Sequence, residues 1–132
     1  MAAVILDHVA LMVDDIDTAV QRWEDILGAP PVMFGLHPLG TAIVARFHLG
    51  DRMIELATPL PAEDGATSAL RARLDKVGGG VLALALVAKN LDITTTAVKA
   101  AGGRIIYQAP HELVHPADAA GVLIQLTPRV HH

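Results

Sequence analysis

Hydrophobic and polar positions alternate over residues 4–13: Leu6, His8, Ala10 and Met12 fall on one face, and Val9, Leu11 and Val13 on the other. This period of two predicts a strand. The period then lengthens. Ile16, Ala19, Val20, Trp23, Ile26 and Leu27 recur at helical spacing, behind Asp14 or Asp15 as an N-cap and ahead of Gly28 as a stop. Pro30-Pro31 breaks the chain. Two apolar and β-branched stretches, 42–48 and 53–57, follow on either side of Gly50-Asp51 and read as a hairpin, so the first module is β-α-β-β-β. A two-residue loop at Gly50-Asp51 sets Arg46 opposite Glu55 and His48 opposite Met53.

Residues 58–77 begin as a linker containing Pro, Asp and Gly, then show Leu70, Leu74 and Val77 at helical spacing behind Ser68. The first pattern then returns. The stretch from His8 to Asp17 aligns without gaps on Ala83 to Asp92, and Met53-Ile-Glu-Leu aligns on Leu123-Ile-Gln-Leu. Module two accordingly reads as a strand over 80–88, a helix over 92–101 ended by Gly102-Gly103, and strands near 104–108, 111–115 and 121–126. Thr94-Thr95-Thr96 is poor helix chemistry, so the helix there is assigned from the repeat. Two copies suggest pseudo-symmetric halves of one domain rather than a solenoid. The expected fold is α+β: module one over 1–60, a linker helix over 61–78 and module two over 79–128, forming a curved mixed sheet around a cleft.

Composition narrows the functions. At 132 residues the chain fits one domain, and with 52% hydrophobic but only 3% aromatic residues its core must be built from Ala, Val, Leu and Ile. A net charge of −4 supplies no basic field for a phosphate backbone, so nucleic acid is not an expected partner. Apolar runs such as 80–88 are about half the roughly 20 residues a membrane helix needs. The absence of Cys and of a secretory signal pattern makes the cytoplasm the expected location. His131 and His132 read as part of a purification tag and are left out of any site.

The repeat also separates two faces. Val9, Leu11, Val13, Ile54 and Leu56, with Leu82, Leu84, Leu86, Ile124 and Leu126, form an apolar set expected to pack under the helices. The opposite set holds His8, Ala10, Met12, Met53, Glu55, Ala83, Ala85, Val87, Leu123 and Gln125. Small apolar groups with few polar ones are how a small-molecule pocket is lined. Its polar members carry the candidate chemistry. His8 has two readings, metal ligand or hydrogen-bonded pocket histidine. Glu55 has three: ligand, proton-moving base, or ion-pair partner of Arg46 across the hairpin. Gln125 is read as a hydrogen-bonding group for substrate. His37, His48, His111 and His115 are further ligand or acid–base candidates, with His115-Pro116 read as a turn. Gly78-Gly79-Gly80 lacks the setting of a dinucleotide loop and reads as a flexible entry to a strand.

Paired βαβββ modules with Leu6-Asp-His-Val-Ala10 near the start and Met53-Ile-Glu-Leu-Ala-Thr-Pro59 closing the first resemble the vicinal oxygen chelate superfamily. That superfamily includes glyoxalase I, methylmalonyl-CoA epimerases, extradiol dioxygenases and bleomycin-resistance proteins. Within it the chain is most similar to the epimerases, through Ser68-Ala-Leu-Arg-Ala-Arg-Leu74 and the stretch from His115 to Leu126 as well. The resemblance implies four side chains holding a divalent metal that polarises a carbonyl or thioester, beside a base that moves the α-proton. His8 matches the first ligand, and Glu55 the second. Ala83 stands where the third, a His, is usual, and Gln125 where the fourth, a Glu, is usual. The implied metal set is therefore His8, Glu55 and Gln125, incomplete relative to the family. Glu55 is the expected catalytic base, and Arg46, Met53, Gln125 and His37 the expected substrate-binding residues. Two functions follow: a lyase or isomerase acting next to a carbonyl or acyl-CoA thioester, or a metal-free small-molecule binding or resistance protein. Open sheet edges make a homodimer the expected assembly.

Overall fold

In the computed structural model, residues 4–38, 40, 42–60, 71, 72, 74–76, 78–108 and 111–128 are described. The elements run β1 (Val4–Met12), α1 (Ile16–Leu27), β2 (Met33–Leu36), β3 (Ala42–Leu49), β4 (Arg52–Pro59), β5 (Gly80–Ala88), α2 (Leu91–Ala100), β6 (Ile105–Gln108), β7 (His111–Val114), a 3-10 turn (Pro116–Asp118) and β8 (Leu123–Thr127). The β-α-β-β-β order thus occurs twice, and the fold is α+β with a mixed sheet. The chain's contacts group residues 10–81 into one unit and residues 1–9 with 82–132 into a second. The cut falls inside β1.

In the unit of residues 10–81 the hydrogen-bonded strand order is β2-β3-β4-β1. The β3–β4 hairpin turns through Gly50-Asp51 with Leu49 opposite Arg52, which places Arg46 opposite Glu55 and His48 opposite Met53, as the sequence predicts. Pairing of β2 with β3 sets Met33 beside Arg46. One face of these strands is the core. Val20, Ala45, Phe47 and Leu56 are buried together, with Leu11, Val13, Ile16, Ala19, Trp23, Leu27 and Ile54 packed on them. Leu11, Val13, Ile54 and Leu56 of the apolar set of module one therefore lie under α1, while Val9 does not join this cluster. Ile26 does not join it and is 63% exposed. At 100° per residue it sits roughly 80° around the helix from Ile16, on the margin of the stripe. The opposite face is also covered, with Ala42, Val44 and Ala57 buried against Met33.

Asp15 caps α1. Its carboxylate accepts the backbone N–H groups of Asp17 (3.1 Å) and Thr18 (3.3 Å) and the Thr18 hydroxyl (3.0 Å). Gly28 ends the helix in the left-handed region at φ 70°. The Thr18 N–H, then the Thr18 hydroxyl, hold the Asp15 carboxyl below the usual carboxylate range. A carboxylate with a folded pKa below its unfolded value stabilises above the unfolded pKa, and that contribution is lost as pH falls through the folded one. Asp15→Ala is thus expected to lower the thermal midpoint near neutral pH. The gap to wild type should close in strong acid, and a gap independent of pH would show that the charge of the cap is not what matters.

The predicted linker helix falls partly outside the described residues, Ser68, Leu70 and Val77 among them. Residues 71, 72 and 74–76 are helical and tied down, because Arg71 Nη2 donates to the Pro59 carbonyl and the Gly78 N–H to that of Leu74 at 2.7 Å. The glycine run that follows is no flexible entry. Gly78, Gly79 and Gly80 all have positive φ, and a Cβ on Gly79 would lie 2.8 Å from the Met12 carbonyl oxygen.

In the unit of residues 1–9 and 82–132 the strand order is β1-β5-β8-β7-β6. β5 and β8 are parallel, with Ala85 beside Gln125, and β7 is antiparallel to both of its neighbours. Asn90 caps α2 by accepting the Ile93 N–H. The threonine run is accommodated because the hydroxyl of buried Thr95 donates back to the carbonyls of Leu91 (3.0 Å) and Asp92 (3.2 Å).

Candidate functional site

A charged pair lies between β3 and β4. Arg46 Nε donates to Glu55 Oε2 at 2.7 Å, with side-chain exposures of 22% and 9%. The hairpin register makes this pair: directly opposed residues on adjacent antiparallel strands share a face, here the one turned away from α1. Along that face the polar row is bounded by apolar ones. Met53 is buried next to Glu55 on β4, Val44 and Ala57 are buried on the other side, and Met33 extends the row onto β2. The guanidinium gives this carboxylate an ionic hydrogen-bond partner in otherwise apolar surroundings. Among the described residues, no further acceptor takes a hydrogen bond from Nη1 or Nη2 of Arg46.

The second polar pair is on β1, in the other unit. His8 Nδ1 donates to Asp7 Oδ2 at 2.7 Å, and both residues are buried. That contact fixes the ring and its tautomer, so Nε2 is the nitrogen left to accept a proton, a substrate hydrogen or a metal ion. Asp7 was not among the sequence-predicted site residues. Strand alternation sends neighbouring side chains to opposite faces, and this hides a contact between residues 7 and 8. The available signal was a polar dipeptide inside an apolar strand.

The remaining predicted residues separate. Gln125 is half-buried on β8 between Ala85 of β5 and Leu113 of β7. Ala83, at 9% exposed, is buried and offers no donor atom. His37 closes the β2–β3 turn through its backbone, accepting the Gly40 N–H and donating to the Ala42 carbonyl. It lies four positions along from Met33, the residue paired with Arg46, or roughly 13 Å at strand rise. It is therefore not beside the Arg46–Glu55 row. His48 is exposed at the hairpin end. His115 Nδ1 accepts the Ala117 N–H and caps the 3-10 turn, a structural role. The His111 side chain, His131 and His132 lie outside the described residues.

The glyoxalase-like domain family matches residues 6–125. The mitochondrial methylmalonyl-CoA epimerase of Bos taurus is 29% identical over 133 residues, covering 92% of this chain and 72% of that protein. The crystal structure of methylmalonyl-CoA epimerase from Mycobacterium tuberculosis superposes with a TM-score of 0.73 at 30% identity, covering 92% of this chain and 85% of that one. A Streptomyces coelicolor methylmalonyl-CoA epimerase variant, solved in complex with 2-nitronate-propionyl-CoA, shares the fold with a TM-score of 0.77 at 21% identity, covering 95% and 94%. With the family matched over almost its whole length and both modules present, this chain belongs to the glyoxalase-like domain family of the vicinal oxygen chelate superfamily.

Proposed function

We propose that this protein is an isomerase of the epimerase type that moves the proton on the carbon next to the carbonyl of an acyl-CoA thioester. The observation that carries this reading is the half-buried Arg46–Glu55 pair, in a chain whose relatives over nine-tenths of its length include methylmalonyl-CoA epimerases. Glu55 is the base. Its carboxylate takes the α-proton, the electron pair of the broken C–H bond spreads onto the thioester oxygen, and return of the proton regenerates the carboxylate. Arg46 and Met53 line the substrate's side of β3 and β4. One base returns the proton to the face it left. Inversion of the α-carbon requires a second donor, a role open to water.

The donor set that the resemblance implies for a divalent ion, His8, Glu55 and Gln125, does not fit a family-type centre. Ala83 has no ligand atom, Gln125 is a weak neutral one, and a guanidinium already occupies Oε2 of Glu55. Among the described residues, no group of three or more His, Cys, Asp or Glu is placed to hold a metal. The reaction is accordingly derived from side chains alone.

The end strands β2 and β6 expose Phe34, Leu36, Ile106 and Tyr107, which favours a homodimer that covers them. Light scattering coupled to size exclusion is expected to give twice the mass of the chain, and a monomer at micromolar concentration would contradict the assembly. No helix among the described residues is long and apolar enough to cross a membrane. The function is tested by following a single epimer of methylmalonyl-CoA with this protein. Loss of optical purity above the enzyme-free rate is expected, and saturable binding with no change in the substrate would favour a small-molecule binding protein.

A further inference from the structure

We infer that Arg46 does the work the superfamily gives to a metal: its guanidinium receives the negative charge that develops on the thioester oxygen, so the reaction needs no divalent ion. The inference rests on the acyl-thioester reading and adds the identity of the electrophile. A guanidinium carries five N–H donors in a rigid fork. Only Nε is committed, to Glu55 Oε2 at 2.7 Å, and no described residue accepts from the two terminal nitrogens. The Arg46 side chain keeps 22% of its surface accessible against 9% for Glu55, so a ligand seated at the pair meets the guanidinium more fully than the carboxylate. Met33, Val44, Met53 and Ala57 surround the pair with apolar atoms. Low polarity strengthens the attraction between a fixed charge and an oxygen anion.

The charge balance also supports this. Before the reaction the guanidinium faces one anion, the Glu55 carboxylate. As the α-C–H bond breaks, the proton forms an O–H bond on Glu55 and the electron pair moves through the α-carbon to the thioester oxygen, so that Glu55 becomes neutral and the oxygen becomes the anion. Arg46 spans both positions and faces one negative charge throughout. No oxidant is needed: return of the proton from Glu55 restores the starting epimer, and inversion takes its proton from the second donor, water, with Glu55 left to release its own proton to solvent. A divalent ion at Glu55 would instead stand against a fixed positive charge within hydrogen-bond reach of its own ligand.

The test uses the intact protein with two probes: 2-nitronate-propionyl-CoA, whose nitronate oxygens imitate the charged intermediate, and propionyl-CoA, which lacks that charge. Binding is measured by calorimetry in excess EDTA, then with manganese, cobalt, nickel or zinc added. Wild type should bind the nitronate equally with and without EDTA. Arg46→Met should weaken it about 30-fold, as expected for a lost charge-assisted hydrogen bond. Arg46→Lys should fall between, propionyl-CoA should lose less affinity than the nitronate in each variant, and circular dichroism with a thermal midpoint reports that the variants are folded. Nitronate binding that disappears in EDTA and returns with a metal would overturn the inference while leaving the acyl-thioester reading intact. So would Arg46→Met binding the nitronate as tightly as wild type. If neither thioester binds under any condition, the functional reading fails and takes the inference with it.

Discussion

Glu55→Gln is expected to lower turnover of an acyl-CoA substrate by roughly 100-fold or more, with little change in KM and an unaltered fold. The substitution is conservative where structure is concerned. A glutamine at this position still offers an oxygen to Arg46 Nε, whose bond to the carboxylate is 2.7 Å long, and it occupies the same buried site between Met53 and Ala57 on β4. What it removes is the ability to accept a proton. The effect should therefore appear in kcat, because the interaction lost belongs to the proton-transfer step rather than to binding. Turnover within a few-fold of wild type would show that another group is the base.

Gly79→Ala should cost roughly 2–4 kcal/mol of stability, the upper part of the range for a residue forced into a left-handed conformation. Two independent effects add here. Gly79 has φ +107°, which L side chains rarely adopt, and the new Cβ would lie 2.8 Å from the Met12 carbonyl oxygen. That oxygen is backbone at the end of β1, so it cannot swing aside as a side chain would. For a chain of 132 residues, the loss should appear as a fall in thermal midpoint on the order of 10 °C. A substitution to Ala that leaves the midpoint unchanged would mean the close approach between Gly79 and β1 does not exist in solution.

Local chemistry was the legible part of this protein. The helical stripe from Ile16 to Leu27 and the stop at Gly28 marked the span of α1, with the cap left between Asp14 and Asp15, and the two-residue Gly50-Asp51 turn set the register that brings Arg46 to Glu55. The internal repeat located α2 where propensity argued against it, and the structure shows the hydroxyl of Thr95 bonded back into the helix. What escaped the reading depended on approach in three dimensions. Period-two reasoning treats residues 7 and 8 as facing apart, so it missed Asp7 reaching His8. A glycine run looks flexible in sequence, and only the nearness of the Met12 carbonyl turns Gly79 into a fixed requirement. The Arg46–Glu55 pairing was foreseen as an alternative to a ligand role for Glu55. The structure adds that the guanidinium commits one donor to it and keeps others in reserve.

The central claim is proton transfer at the carbon next to a thioester carbonyl. Incubating the protein with methylmalonyl-CoA in D2O, with EDTA present, and following the α-carbon by mass spectrometry and proton NMR tests it most directly. The account predicts uptake of one deuteron per molecule well above the protein-free rate, abolished by Glu55→Gln. Tight binding of the thioester with no deuterium uptake above that background would contradict it, and would make the protein a binder of acyl thioesters rather than an enzyme acting on them.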